Sequence, residues 1–249
     1  MEQYKTRAEL KSDTKELFRG RWKDAILLNL IPTLITFIAF LVIVVVSFSI
    51  ANQTNTPIEN WTNDSYVSED IGESSNSGNG TSNVTSGILS TLFTVGISFT
   101  FLDWFRDPDK KIHPIKNSLQ VFSRKYFLRA FLIYILTSIF TTLWSLLFII
   151  PGIIKHYAYS QAYLIYKDQT NLSPNEKISS LNCITESKNL MKGHKWRFFL
   201  LEMSFIGWGI LAVLSLGIGF LWLFPYENAT RVAFYEDLTK GKYLNEQDY

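Results

Sequence analysis

Two groups of side chains in this sequence are placed where they could do chemistry. The first is Lys188, Lys192, His194, Lys195, Trp196 and Arg197, cations and an indole crowded just ahead of a long apolar run. Such a cluster suits the phosphate of an anionic headgroup or the acidic surface of a partner, because each Lys or Arg near a negatively charged leaflet contributes about 1 kcal/mol. The second is Lys155, His156, Tyr159, Glu202, Glu227 and Arg231, polar or ionisable groups inside otherwise apolar segments. A charge in hydrocarbon costs about 2.5–3.5 kcal/mol on insertion scales, so it faces a partner or a polar cavity. These six therefore mark either pairing between helices or a polar path for a solute. Glu227 and Arg231 stand one turn apart and can neutralise each other, and Asp103 and Arg106 have the spacing for a similar pair. Enzyme chemistry finds no such foothold. His113, His156 and His194 fall in three separate segments, there is no His-Glu-x-x-His pair and no Gly-rich phosphate loop, and the single Cys183 offers neither a disulfide nor metal-ligand spacing. No catalytic residue, cofactor or metal is expected.

The elements that must position these residues are written in the charge pattern. No Lys or Arg occurs between Asp24 and Phe105, whereas basic residues crowd 1–23, 106–129 and 167–197. Short basic segments stay on the cytoplasmic side of a bilayer, so the gaps between them are crossings and outer loops. Hydrophobic residues make up 47% of the chain, yet mean hydropathy is only +0.08, because apolar blocks alternate with very polar ones. The net charge of +2 is too small to argue for nucleic acid, and no stretch interleaves cations with exposed aromatics on a soluble face. With about 20 residues needed per crossing, the sequence predicts an all-α fold: a polytopic transmembrane bundle of six helices in the cell membrane, both termini cytoplasmic, with one long polar outer loop.

Residues 1–24 read as a cytoplasmic amphipathic tail. Residues 25–105 form a first helical hairpin: a span from Ala25 to Ile50, kinked or started by Pro32, a flexible outer loop over 52–86, and a return from Gly87 to Phe105. Residues 106–249 supply four more membrane helices. A span from Phe127 to Ile150 should reverse at Pro151-Gly152, a strong turn signal, and the tyrosine-rich stretch to Asp168 should face other helices or water. Ser173-Pro174-Asn175-Glu176 matches a capping box and predicts a cytoplasmic amphipathic helix over 174–192. After Gly193 the apolar run either crosses once or turns at Leu216-Gly217-Ile218-Gly219; the second option is favoured, with a sixth helix descending to Asp237 and a short C-terminal tail. Tyr166-Lys167-Asp168 and Tyr235-Glu236-Asp237 echo each other, through an internal repeat or by chance.

The runs Lys5-Thr6-Arg7-Ala8-Glu9-Leu10-Lys11, Pro151-Gly152-Ile153-Ile154-Lys155, Met191-Lys192-Gly193-His194-Lys195-Trp196 and Ser204-Phe205-Ile206-Gly207-Trp208, followed by Pro225-Tyr226, resemble the bacterial membrane family called domain-of-unknown-function family 975. More distantly, the Pro-Gly hairpin, capped helix and basic-aromatic re-entry are similar to the membrane domain attached to some glycerophosphodiester phosphodiesterases. The resemblance implies a polytopic membrane protein of Gram-positive bacteria and supplies no catalytic residues. The expected function is non-enzymatic association with membrane lipids or an envelope membrane protein through the 188–197 block. The alternative is a small-solute transporter or exporter built around Lys155, Tyr159, Glu202, Glu227 and Arg231.

Overall fold

The computed structural model describes residues 4–53, 78–173, 176–240 and 242–243. All of the regular structure among them is helical: α1 (Arg7–Leu17), α2 (Trp22–Gln53), α3 (Gly78–Arg106), α4 (Pro114–Ser118) with a 3-10 turn at Gln120–Phe122, α5 (Phe127–Leu147), α6 (Ile149–Tyr159), α7 (Ala162–Leu172), α8 (Ser180–Leu190), α9 (Lys195–Leu214) and α10 (Phe220–Thr239). Among the described residues, α5 and α9 are long and apolar enough to cross a membrane. Of the outer loop expected over 52–86, residues 54–77 lie outside the described residues, and 78–86 are helical, so α3 begins nine residues before the expected Gly87.

Local chemistry sets several element boundaries away from the sequence reading. The capping box is at the other end of the chain: the Glu9 backbone N–H donates to the Thr6 hydroxyl, and the Thr6 N–H donates to the Glu9 carboxylate at 2.6 Å, starting α1. Pro174 and Asn175 lie outside the described residues; the Glu176 N–H donates to the Ser173 carbonyl, and the helix predicted over 174–192 begins only at Ser180. The reversal expected at Pro151-Gly152 occurs three residues earlier, at Phe148, whose extended backbone separates α5 from α6. Proline is tolerated in the first turn of a helix, where its missing N–H has no partner to lose, so Pro151 lies inside α6. Gly152 serves close packing rather than a turn, since a Cβ there would lie 2.1 Å from the Ser145 hydroxyl oxygen on α5. The helix near Pro32 starts ten residues before it, at Trp22. Leu216 and Gly217, both with positive φ, break the last apolar run into α9 and α10.

The helices form three hairpins, α2/α3, α5/α6–α7 and α9/α10, each preceded by a short helix. Every short helix docks on the returning helix of the hairpin before it. The α4 segment meets α3, where Gln120 donates to the Gly96 carbonyl at 3.0 Å and Thr100 donates to the Asn117 carbonyl at 3.2 Å. A Cβ on Gly96 would lie 2.3 Å from the Ser118 carbonyl oxygen, so the approach requires glycine. On α8, Ser187 donates to the Ala158 carbonyl at 2.9 Å and accepts from the Gln161 N–H. The α1 helix closes the ring on α10, with the Thr230 hydroxyl donating to that of Thr14 at 3.3 Å. Thr14, Ser118 and Ser187 are fully buried, and each hydroxyl is satisfied.

The three docking points, Gly96, Gln161 and Thr230, all lie two turns before an aspartate, and each aspartate follows an aromatic residue by two positions: Phe101 and Asp103, Tyr166 and Asp168, Tyr235 and Asp237. The likeness between Tyr166-Lys167-Asp168 and Tyr235-Glu236-Asp237 is therefore structural and has a third copy. Gly20 after α1 and Gly193 after α8 occupy matching joints, with φ of +76° and +85°, a conformation that costs glycine no steric clash.

Candidate functional site

The three returning helices bring their aspartates to one end of the bundle, and each aspartate receives a cation. Asp168, fully buried, accepts from both terminal nitrogens of Arg106 at 2.7 and 2.9 Å and from the Tyr235 hydroxyl at 2.6 Å. The remaining Arg106 donor, Nε, reaches Glu236 at 2.8 Å. Lys167, also buried, donates to Asp103 and to the Phe99 carbonyl, while Asp103 takes Lys110 on its other oxygen at 3.2 Å. Asp237 accepts from Arg197 and from the Lys5 backbone N–H at 3.1 and 3.2 Å, and Arg197 also holds the Lys5 carbonyl. Bidentate arginine–carboxylate pairs with a third bond from tyrosine are strong and directional. The carboxylates of this network pair with its cations, and together they lock the ends of α3, α7 and α10.

The 188–197 block divides in two. Lys188 and Lys192 are exposed, Lys195 is half-buried, and Trp196 is 67% exposed with its ring stacked on Phe199 at 5.1 Å. Lys155 joins them from α6: its ammonium lies 4.3 Å from the centre of the Trp144 ring, within the electrostatic reach of Lys188 and Lys195. Among the described residues these four lysines have no carboxylate partner. Arg197 instead belongs to the lock, sandwiched near Tyr4 and Phe234. His194 packs edge-on against Tyr4 at 4.4 Å, and burial, followed by the nearby Arg197, holds its imidazole below the ordinary value, so it adds little positive charge at neutral pH.

The six polar candidates within apolar segments go to three places. Arg231 bridges Glu227 at 2.6 Å and Glu202 at 3.1 Å, one cation shared between two carboxylates. His156 and Tyr159 line a cavity of about 330 Å³ with hydroxyl side chains that include Thr137, Thr141 and Tyr163. Lys155 faces the basic edge. The structure does not gather the six around one path.

The family profile described as Protein of unknown function (DUF975) matches residues 1–155 and 146–242. The chain belongs to this family. No curated protein and no solved structure matches it. The two DUF975 matches overlap where α5 gives way to α6. In this DUF975 chain, Asp103 and Arg106 have the spacing to pair on one helix face, but Arg106 reaches α7 and α10 while Asp103 reaches Lys167 on α7. The lock of Arg106, Lys167, Asp168 and Tyr235 was missed as a unit. Its signal was an aromatic-x-Asp spacing near the ends of α3, α7 and α10, noticed at two of those three places and shared by Trp22/Asp24 and Phe105/Asp107, which lie outside the lock.

Proposed function

We propose that this DUF975 protein is a six-span membrane protein with both termini in the cytoplasm that acts without catalysis, by associating with anionic lipid headgroups. The observation that carries this reading is the outer face of α9. Trp196, Met203, Ile206, Ile210 and Leu214 follow one another at helical spacing, all exposed, and the stripe ends at the unpaired lysines 155, 188, 192 and 195. An apolar stripe needs lipid or a partner to cover it, and an indole beside lysines suits the inner boundary of a bilayer. The test is the ratio of phosphatidylglycerol to phosphatidylcholine that remains with the protein purified from a mixed bilayer in gentle detergent. Lys188→Gln/Lys192→Gln/Lys195→Gln should bring that ratio close to the bulk composition; an unchanged ratio contradicts the proposal.

A second reading, solute transport, is favoured by the hydroxyl-lined cavity around His156 and Tyr159, which would suit an uncharged polar solute. It requires that His156→Ala or Tyr159→Phe abolish flux in reconstituted vesicles while the amount of folded protein is unchanged.

A further inference from the structure

A groove of about 650 Å³ opens between α1, α9 and α10, away from the 188–197 block. The groove has two unlike parts. One wall is the α1 stripe of Ala8, Lys11, Ser12 and Lys15, adjacent to the stripe of Leu10 and Thr14 that buries against α10. Its small residues leave the groove open, and its two lysines line it. The Lys11 ammonium lies 4.1 Å from the centre of the Phe205 ring and makes one hydrogen bond, to the Ser204 carbonyl at 3.3 Å, so two of its three donors remain. Lys15 lies 5.9 Å from the Tyr226 ring. Neither lysine pairs with a carboxylate among the described residues. Burial first, then Arg7 and Lys15, holds the Lys11 ammonium below its ordinary pKa.

The other wall is indole and aliphatic. Trp208, Leu211 and Trp222 are 59%, 57% and 50% exposed on the α9/α10 hairpin. Beneath them α9 and α10 touch, a Cβ on Gly219 coming within 2.8 Å of the Ala212 Cα, so the groove has a closed base. A free phosphate would leave this wall uncovered, and an uncharged lipid would leave the lysines unmatched.

We propose that this groove binds one anionic phospholipid, with its phosphate between Lys11 and Lys15 and its acyl chains along Trp208, Leu211 and Trp222. The site rests on the lipid-associated reading above but shares no residue with the basic edge. A zwitterionic headgroup is disfavoured, because its ammonium would meet Lys11, Lys15 and Arg7.

The experiment is native mass spectrometry of the full chain in detergent, titrated with dioleoylphosphatidylglycerol, paired with tryptophan quenching by the same lipid brominated on its acyl chains. The wild type should hold one lipid that inorganic phosphate does not displace. Lys11→Gln/Lys15→Gln should lower its occupancy at a fixed lipid concentration roughly tenfold or more. Ser12→Leu, which fills the groove and keeps both charges, should do the same, and the triple glutamine variant at 188, 192 and 195 should keep this lipid. Unchanged occupancy in both groove variants overturns the proposal, as does displacement by inorganic phosphate or equal retention of phosphatidylcholine. Loss of all bound lipid in the edge variant alone, with the groove variants unaffected, overturns the groove and leaves the edge reading intact.

Discussion

The locked end of the bundle and the basic edge use the same kinds of charged residue to opposite ends. At the lock, Arg106 engages two carboxylates with three nitrogens and buried Lys167 has both Asp103 and a carbonyl. At the edge, Lys188, Lys192 and Lys195 have no carboxylate partner among the described residues, and the neighbouring indole is exposed. A buried charge deprived of its partner is costly to fold around, whereas an exposed one is nearly free to change. Partner count, rather than residue type, therefore separates the cations that hold this protein together from those available to a ligand. The block 188–197 contains both: Arg197 is four residues from Gly193 and structural, and Lys192 is one residue before it and open.

The comparison breaks most severely at Asp168. Asp168→Asn leaves Arg106 with one carboxylate and should cost about 3–5 kcal/mol, the range for breaking a buried ion pair, read as a large drop in the thermal midpoint in detergent. Gly96→Ala attacks the docking beneath the lock; crowding the Ser118 carbonyl should cost about 1–3 kcal/mol, measurable by the same melt. Thr6→Ala removes the cap of the helix whose leading backbone Arg197 and Asp237 grip, and should cost about 1 kcal/mol, seen as faster hydrogen exchange over α1. At the other extreme, Lys188→Gln/Lys192→Gln/Lys195→Gln should shift stability by no more than about 0.5 kcal/mol per site. A large loss of stability there would mean that the edge is a second lock.

Much of the helical layout was legible because it depends on local composition: apolar runs long enough to cross, the Gly193 joint, and the break at Leu216-Gly217. Boundaries that depend on contact between helices were not. Pro151-Gly152 reads as a turn in isolation, but the helix reverses at Phe148 because Gly152 can press against Ser145. Ser173-Pro174-Asn175-Glu176 has the composition of a cap, yet α8 begins only at Ser180, while the Thr6 and Glu9 box lay in a segment read as an amphipathic tail without a defined start. The trio of Glu202, Glu227 and Arg231 contains the i, i+4 pair that spacing suggested, yet its third member comes from a different helix. Likewise Arg106 has a candidate partner, Asp103, three residues away in sequence, but its actual partners lie on α7 and α10. Spacing names the residues that can interact within a helix; the threefold docking of short helices decides which ones do.

The most direct test of this division measures two quantities on two variants: thermal midpoint and the phosphatidylglycerol to phosphatidylcholine ratio of retained lipid, for Asp168→Asn and for the triple glutamine variant at 188, 192 and 195. The account predicts that Asp168→Asn lowers the midpoint and leaves lipid selectivity per folded protein unchanged, while the triple variant loses selectivity at an unchanged midpoint. Selectivity that survives in the triple variant, or a midpoint that falls with it, would contradict the account.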